Sequence, residues 1–513
     1  MILENGVIRT MEPSLPVVRA LAIAGEHVVG GVGTHETALP TPERVDLRGR
    51  CVLPGFSDSH VHFPTWSLAQ RQVRLEGTAT LEEAVARVAD AAAAVEPGRW
   101  LRGTGWRSGD WNPSVEPTKE ALDAVTGHTP TALMARDYHS LWLNSAALAC
   151  ANGDLQVPGG VVERDEHGEP TGVLREECAW HFRDTHVRPS DDEMVEASRE
   201  GVRIANSRGV TSVHDKDGWL GVLRVWQRLD ADDALTLRVW QSLPHDLVEE
   251  AAAVGIRSGF GSPLVRIGYL KAFMDGTLGS QTARMRDGSG VEITSREELE
   301  RIVRRGAEVG LPVAVHAIGD RANRDALDAF EATQDAWRPL GLRQRIEHAQ
   351  LLAPEDVARF GALGVAASVQ FSHAPSDRDL AERFWGEKTA GAYAYRSLLD
   401  AGAVVANGSD APIEELDPLA GICAGVRRTL DERPPWHPEQ AVTVEEALAA
   451  TIVTPAWLAR DERRRGKLTP GYLADLVVLD RDPLAIPTDE LPEIRVLATM
   501  LGGRWVHQPP PWD

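Results

Sequence analysis

The sequence PGFSDSHVHF (residues 54–63) places two histidines two positions apart, directly after the short apolar residues 51–53. If this stretch is a β-strand, His60 and His62 point to the same side of it, because side chains alternate along a strand. Imidazole is the side chain that most often binds metal ions in proteins. Many His-x-His pairs bind no metal, so this pair is informative only if the rest of the chain supplies further ligands.

The bulk composition describes a large acidic protein. The chain has 513 residues, of which 43% are hydrophobic, and this length is sufficient for two or three domains or for one large barrel with additions. The formal net charge of −22 argues against nucleic acid and against an anionic membrane as partners, because both bind basic surfaces. We expect no membrane-spanning segment, since no apolar stretch is long enough to cross a bilayer.

The cysteines and the first residues of the chain predict a cytoplasmic protein. The four cysteines lie far apart and form no Cys-x-x-Cys pair, which is typical of buried thiols in a reducing compartment. Residues 1–6 lack the basic segment and apolar core of a signal peptide. We also expect a homo-oligomer, a dimer, although no pattern in the sequence specifies the oligomeric state.

Strands and helices alternate from about residue 190 to about residue 410. Apolar runs such as residues 210–215 and 265–274 alternate with amphipathic stretches, one of which begins with the capping-box pattern at residues 295–298. This spacing is typical of parallel βαβ units. About eight such units fit between residues 51 and 410, which predicts a (β/α)8 TIM barrel, a fold of the α/β class.

Both ends of the chain and one internal segment depart from this alternation. Residues 1–53 and 466–513 contain short apolar runs cut by Gly and Asn-Gly turns, which predicts strands that pair into one small β domain made from both termini. The barrel is then residues 54–465. Residues 64–185 have no regular repeat and are predicted to be an insertion after the first barrel strand, with the Gly- and Trp-rich residues 100–111 as a loop.

Further metal-ligand side chains occur at the ends of predicted barrel strands, where the active sites of such barrels are built. These residues are Lys271, His316, His348 and Asp410. Together with His60 and His62, they suit Zn²⁺ or a similar divalent ion. Each has an ordinary structural alternative when taken alone, but a lysine in an apolar strand is costly to bury unless it has a partner.

Ten short motifs follow one another along the chain: PGF at 54–56 with HVH at 60–62, DYHS at 137–140 with LNSAAL at 143–148, GVT at 209–211, KAFMDG at 271–276, VHAIGDRA at 315–322, IEH at 346–348, GSDAP at 408–412 and GYLADL at 471–476. Together they resemble the amidohydrolase superfamily, and specifically the YtcJ-like (amidohydrolase 3) family of metal-dependent hydrolases. The resemblance covers nearly the whole chain. It implies a (β/α)8 barrel with a β-sandwich made from both termini.

The resemblance also implies a set of metal ligands. His60, His62 and Asp410 would hold one ion, and His316 and His348 would hold a second. Lys271 would bridge the two ions after reacting with CO₂ to form a carbamate, which converts a cation into a carboxylate-like ligand. Zn²⁺ is the preferred ion, and the sequence leaves open whether one or two ions bind and whether Lys271 is carboxylated.

The implied reaction is hydrolysis of a non-peptide C–N bond in an N-acyl, N-formyl or cyclic amide; one type of family member removes formyl groups from N-substituted formamides. The metal would lower the pKa of bound water toward about 7 and polarise the substrate carbonyl. Asp410 would accept the proton of that water and pass it to the leaving nitrogen. Lys271 is a catalytic candidate through its place at the metal, and His139, with Tyr138, is a candidate contact to the carbonyl oxygen.

The expected substrate is a small amide with an aryl or alkyl group. The chain has 15 tryptophans, most of which are expected in the core, but a few are candidates to line an apolar pocket. The candidates within the insertion are Trp66, Trp106, Trp111, Trp142 and Trp180. Trp219 and Trp385 follow predicted strand ends.

Five other polar residues are candidates for roles at the site or around it. His214 and Asp215 end another predicted strand, and they either join the site or support it. Asp275, Asp320 and Arg321 are predicted to fix loops or to orient ligands.

Two alternatives to amide hydrolysis stay open at this point. One is deamination of an aminated heterocycle with a single metal ion, although such sites usually pair a histidine with a nearby catalytic glutamate and no equally placed glutamate stands out. The other is a barrel without catalytic activity. Such proteins typically lose ligands, and none is missing from the predicted set.

Overall fold

A computed structural model of the chain describes residues 1–29, 43–96, 98–151, 153 and 155–510. The chain divides into two compact units, of which one is Met1–Phe63 with Arg199–Asp513 and the other is Pro64–Ser198. The first unit contains a barrel and a sheet made from both termini, and the second contains a sheet of its own. None of the helices in these residues has the length and apolar character that crossing a bilayer requires.

The described amino-terminal residues form short strands that lead directly into the barrel. These strands are β1 (Ile2–Arg9), β2 (Val17–Ala24), β3 (His27–Val28), β4 (Arg44–Asp46), β5 (Cys51–Pro54) and β6 (Phe56–Val61). The sequence predicted a turn at Asn5-Gly6, but β1 continues through it. Asn5 has φ of 60° at a shift in register between Glu4 and Ile8, so the Asn-Gly pair forms a bulge rather than a turn.

The second unit is built on a six-stranded sheet with the order β11-β12-β10-β9-β8-β7. Its strands are β7 (Val73–Arg74), β8 (Leu101–Trp106), β9 (Thr131–Ala135), β10 (Ser140–Leu143), β11 (Gly160–Arg164) and β12 (Pro170–Glu176). Its helices are α1 (Phe63–Ala69), which begins at the boundary, α2 (Leu81–Ala92), α3 (Lys119–Thr126), α4 (Ser145–Leu148) and α5 (Glu177–Phe182).

The prediction of a loop over residues 100–111 was wrong, because β8 runs through the first half of it. Gly103 is required there for close packing, since a Cβ at this position would lie 2.6 Å from Leu133 Cδ2. Trp106, Trp111 and Trp142 are buried and their ring centroids lie 6.2–6.3 Å apart. These three tryptophans are therefore core residues of the second unit and not the lining of a pocket.

Eight parallel strands form the predicted barrel, in the order β6-β13-β14-β15-β16-β17-β18-β19. The strands after β6 are β13 (Val210–Asp215), β14 (Arg238–Pro244), β15 (Val265–Phe273), β16 (Val313–Ala317), β17 (Arg345–His348), β18 (Ala366–Val369) and β19 (Val405–Asn407). The (β/α)8 prediction is confirmed, and β13 has the bounds of the apolar run that the sequence predicted as a strand.

Helices alternate with these strands, as the sequence predicted. They are α6 (Asp191–Ser207), α7 (Leu223–Ala231), α8 (Val248–Ala253), α9 (Arg296–Val309), α10 (Asp320–Ala332), α11 (Gln334–Trp337), α12 (Pro354–Leu363), α13 (His373–Ser376), α14 (Arg378–Trp385), α15 (Tyr395–Asp400), α16 (Pro418–Arg427) and α17 (Val444–Leu458). Ser295 caps α9, because its side chain accepts a hydrogen bond from the Glu298 backbone N–H.

The terminal sheet joins both ends of the chain. The carboxyl-terminal strands are β20 (Leu476–Leu479), β21 (Val496–Leu501) and β22 (Arg504–His507). The sheet has the order β22-β21-β20-β5-β1-β2-β3, with β4 on β1, and β20 pairs antiparallel with β5. The two termini thus share one hydrogen-bonded sheet whose apolar core includes Leu21, Val478 and Met500.

The barrel closes where its first strand meets the segment after its last strand. The Asp410 backbone N–H donates to the carbonyl oxygen of His60 at 2.7 Å, and the His62 N–H donates to the carbonyl oxygen of Ala411 at 2.8 Å. These two bonds continue the parallel ladder around the barrel. Because of them, the backbones of His60, His62 and Asp410 are held side by side.

The carboxylate of Asp58 reinforces this closure. One oxygen accepts from the Ser409 N–H and the His60 N–H at 3.0 Å each, and the other accepts from Ser409 Oγ at 2.6 Å. Gly408 allows the approach, since a Cβ there would lie only 2.4 Å from the His60 nitrogen. A side chain of any kind at position 408 would therefore force the two strands apart.

We expect Gly408→Ala to destabilise the first unit by about 3 kcal/mol, because overpacking at a strand contact cannot relax without breaking the ladder. The measurement is the thermal unfolding midpoint, with hydrogen exchange of β6 and β19. Gly109→Ala is the control, since a Cβ there has no neighbour within 4 Å and the backbone needs no left-handed conformation. Equal unfolding midpoints for the two variants would contradict this account of barrel closure.

Candidate metal centre

Histidine and aspartate side chains from four barrel strands lie around one point at the carboxyl end of the barrel. His60 lies near the end of β6, and His62 follows that strand. His316 lies in β16, His348 is the last residue of β17, and Asp410 follows β19. His60 Nε2 lies 3.1 Å from Asp410 Oδ1, and His62 Nε2 lies 3.6 Å from the same oxygen. The other oxygen, Asp410 Oδ2, lies 3.9 Å from His348 Nδ1.

Three of these imidazoles have Nδ1 held by an oxygen atom. The pairs are His60 with Glu347 Oε2 at 2.8 Å, His62 with Asp217 Oδ1 at 2.7 Å and His348 with Gln370 Oε1 at 2.8 Å. Carboxylate and amide oxygens only accept hydrogen bonds, so in each pair Nδ1 carries the proton. The lone pair is then on Nε2, which is the arrangement of metal-binding histidines.

His316 and Lys271 lie beside this group. His316 Nε2 donates to the carbonyl oxygen of Gly276 at 3.0 Å, and its ring centroid lies 4.5 Å from that of His348. Lys271 Nζ is buried and has no hydrogen-bond acceptor among the described residues, and it lies 4.5 Å from the centroid of the Phe273 ring. Burial lowers the pKa of Lys271 to about 8.

The electrostatics of the centre favour the protonation states that bind a cation. Burial alone would raise the pKa of Asp410, but the neighbouring His60, His348 and His62 together outweigh burial and hold this pKa well below its usual range. Burial lowers the pKa of His60 and holds that of His348 well below its ordinary value. For His62, burial alone would lower the pKa, but Asp217 outweighs burial and raises it. Asp410, His60 and His348 therefore have the protonation states that ligate metals.

A buried charge network fixes the partner of His60. Glu347 Oε1 accepts from Lys216 Nζ at 2.6 Å and from Arg345 Nε at 2.9 Å, while Oε2 accepts from His60. Burial alone would raise the pKa of Glu347, but Arg345 and Lys216 hold it well below the usual range. Glu347 is thus a permanently ionised acceptor, which keeps the His60 proton on Nδ1.

Two residues that the sequence left open support the site without joining the ligand group in the described structure. Asp215 accepts hydrogen bonds from the backbone N–H groups of Phe63 and Asp217 and from Trp226 Nε1. It therefore fixes Asp217, which holds His62. His214 Nδ1 lies 2.9 Å from Arg345 Nη1, away from the ligands.

The predicted loop-fixing residues occupy such positions. Asp275 accepts from the backbone N–H groups of Ile318, Gly319 and Arg284 and lies 3.6 Å from His316 Nε2. Two others act farther out: Asp320 accepts from the Arg286 N–H, and Arg321 pairs with Asp325 on α10.

His139 and Tyr138 belong to the second unit, between β9 and β10. His139 Nδ1 donates to Glu176 Oε2 at 2.8 Å, and the ring lies edge-on to Trp180 with centroids 5.0 Å apart. Tyr138 and Glu176 both have positive φ, of 60° and 52°. Strained backbone of this kind is common at functional sites, and the catalytic role of His139 stays a prediction from the resemblance.

One histidine of the centre was missed in the sequence. His373 follows β18 and its Nε2 lies 3.9 Å from Asp410 Oδ2. Its ring is stacked on His348, with centroids 6.2 Å apart and planes inclined by 7°. The signal that could have found it is the one used for the candidate ligands, because His373 comes just after a barrel strand.

The donor set is suited to a metal ion. Two groups, His60-His62-Asp410 and His348-His373-Asp410, each have their ligand atoms within 4.8 Å of one another. Imidazole nitrogens with one carboxylate match the preferences of Zn²⁺ and similar divalent ions. Lys271 Nζ, which is buried near these groups without an acceptor, fits a role in which it is modified or faces a ligand.

The chain is similar to known hydrolases over almost its full length. It is 30% identical to the putative amidohydrolase YtcJ of Bacillus subtilis, with 94% of each chain covered. It is 28% identical to the N-substituted formamide deformylase of Arthrobacter pascens, covering 97% of this chain and 96% of that one. The crystal structure of an uncharacterized metal-dependent hydrolase from Pyrococcus horikoshii superimposes with a TM-score of 0.80 at 29% identity, covering 95% of this chain and 99% of that one.

The family model for amidohydrolases matches residues 43–507, which include the barrel, the insertion and most of the terminal sheet. The resemblance that the sequence motifs indicated is thereby confirmed. With the ligand geometry in the barrel, this match shows that the chain belongs to the amidohydrolase family and is a metal-dependent hydrolase of the amidohydrolase superfamily.

Proposed function

We propose that the protein hydrolyses the C–N bond of a small non-peptide amide. The observation that carries this proposal is the convergence of His60 Nε2 and His62 Nε2 on one oxygen of Asp410 at 3.1 and 3.6 Å. This arrangement combines a cation site with a carboxylate that can exchange protons with water. An N-formyl amide is the preferred substrate class, since an N-substituted formamide deformylase is among the relatives.

The proposed cofactor is Zn²⁺, with His60, His62 and Asp410 holding one ion and His316 and His348 a second. A divalent ion bound there would polarise the substrate carbonyl and lower the pKa of water. Lys271 is proposed to bridge the two ions as a carbamate. Its buried Nζ, without a hydrogen-bond acceptor in the described structure, supports that assignment because an unmodified ammonium would be left unpaired.

The side chains then have separate tasks. Asp410 accepts a proton from the attacking water and returns it to the leaving nitrogen, which needs to leave as a neutral amine. Glu347 and Asp217 hold the His60 and His62 rings in the orientation that ligation requires. His139 is proposed, from the family resemblance alone, to contact the substrate carbonyl.

An aromatic pair beside the centre supports an aryl or alkyl group on the substrate. Trp219 is 44% exposed although it is a large apolar side chain, and its ring lies 5.3 Å from that of Phe273. Phe273 in turn lies 5.3 Å from the ring of the candidate ligand His316. An apolar substituent placed against Trp219 would therefore have its amide close to the centre.

We expect His60→Ala and Asp410→Asn to lower kcat/KM at least about 1,000-fold, because each removes a ligand and Asp410→Asn also removes the base. The assays are release of formate from formanilide and N-butylformamide, and metal content by mass spectrometry. Asp335→Asn, at an exposed carboxylate, is the control. Near-full activity of either site variant would contradict the proposal, and ammonia release from aminated heterocycles instead of amide cleavage would favour deamination.

The bridging role predicts a difference between two substitutions of Lys271. Lys271→Met should lower bound Zn²⁺ by about one equivalent, whereas Lys271→Glu should retain more of it, because a carboxylate replaces that of the carbamate. Metal-to-protein ratios after equilibrium dialysis check this expectation. Equal Zn²⁺ content in the wild type and Lys271→Met would show that Lys271 is not a bridge.

We expect Trp219→Ala to raise the KM for formanilide about tenfold, because the aryl group loses an apolar contact worth one to two kcal/mol. Formamide, which has no such group, should be nearly unaffected. Phe260→Ala is the control, since Phe260 is 63% exposed and is not part of the proposed site. An equal effect on both substrates would remove Trp219 from the substrate site.

A further inference from the structure

His373 differs from His60, His62 and His348 in the atom that faces its Nδ1. The Nδ1 atoms of His60, His62 and His348 each contact an oxygen. His373 Nδ1 instead lies 3.1 Å from Nε2 of Gln350, an amide nitrogen that can only donate. Nδ1 of His373 must therefore accept, and the proton of the neutral imidazole is on Nε2.

This tautomer gives His373 a different function from that of a ligand. An Nε2 that carries a proton has no lone pair for a metal ion, so it acts as a hydrogen-bond donor. His373 is 4% exposed, and its Nε2 has no hydrogen-bond partner among the described residues. A buried donor without a partner is costly to maintain, which is typical of a group that meets its partner only during binding or reaction.

The position of this donor identifies its partner. Nε2 of His373 lies 3.9 Å from Asp410 Oδ2, which is too long for a direct hydrogen bond. An oxygen atom between them can lie within about 2.8 Å of both. Asp410 is the proposed base and its carboxylate only accepts, so the bridging oxygen must carry a proton of its own, as the attacking water does.

We propose that His373 is a catalytic residue that donates a hydrogen bond from Nε2 to the oxygen of the attacking water while Asp410 takes its proton, and that Gln350 is the positioning residue that sets the His373 tautomer. The inference deepens the proposed function and rests on it. Donors of this kind stabilise the negative charge that develops on oxygen in the transition state.

Substitutions at His373 separate donation from metal binding. His373→Phe should lower kcat for formanilide about 100-fold with KM changed less than about threefold, because the donor is used in the transition state. His373→Gln should recover at least about tenfold of that loss, because its amide nitrogen reaches the position of Nε2. The Zn²⁺ content of both variants, measured after equilibrium dialysis, should equal that of the wild type.

Substitution of Gln350 tests the tautomer itself. Gln350→Glu presents a carboxylate to Nδ1, which moves the proton to Nδ1 and leaves a lone pair on Nε2. We expect a fall in kcat like that of His373→Phe, without loss of Zn²⁺. Gln350→Met, which removes the donor but supplies no acceptor, is the matched control and should reduce kcat less.

A crystal structure of the Zn²⁺-loaded protein tests His373 even if no amide is hydrolysed, in which case the proposed function fails separately. Support would be an oxygen atom within hydrogen-bond distance of His373 Nε2. An ion at ligand distance from this nitrogen, or no oxygen near it, would overturn the proposal. Loss of about one equivalent of Zn²⁺ in His373→Phe, or wild-type kcat in this variant, would overturn it as well.

Discussion

The Asp58 carboxylate, which accepts hydrogen bonds from His60 and Ser409, holds the first barrel strand against the segment that follows the last. The candidate centre depends on this contact, because two of its histidines come from the first strand and its aspartate from that segment. Gly408 allows the contact by carrying no Cβ. Closing the barrel and bringing the ligands together are thus one structural event, and the remaining strands add His316 and His348 to a geometry that is already set.

The orientation of the imidazoles is determined by a layer of polar groups beneath them. Asp217, Glu347 and Gln370 each present an oxygen to a histidine, and the buried cations Lys216 and Arg345 keep Glu347 ionised. A buried charge set of this kind is costly and contributes little net stability, so its value lies in specifying proton positions. The different partner of His373 assigns that side chain to a different task within the same group.

Much of the barrel could be predicted from the sequence, because parallel strands are apolar runs that alternate with amphipathic helices. His60, His316 and His348 could be assigned to strand ends for the same reason. The partners Glu347, Asp217 and Gln370 could not, because their roles depend on distances between strands far apart in the chain. The strand Leu101–Trp106 was missed since glycine in a strand interior indicates a loop, whereas here Gly103 provides room for Leu133. His373 was overlooked although its position after a strand was visible.

The ligands of the centre come from distant parts of the chain, and this separation has a consequence for biosynthesis. His60 is among the first parts of the barrel to leave the ribosome, while the carboxylate with which it converges, Asp410, is made only after most of the chain has been translated. The nascent chain therefore carries an incomplete set of metal donors throughout most of its synthesis. Completion of the donor set is therefore a late event in the synthesis of the chain.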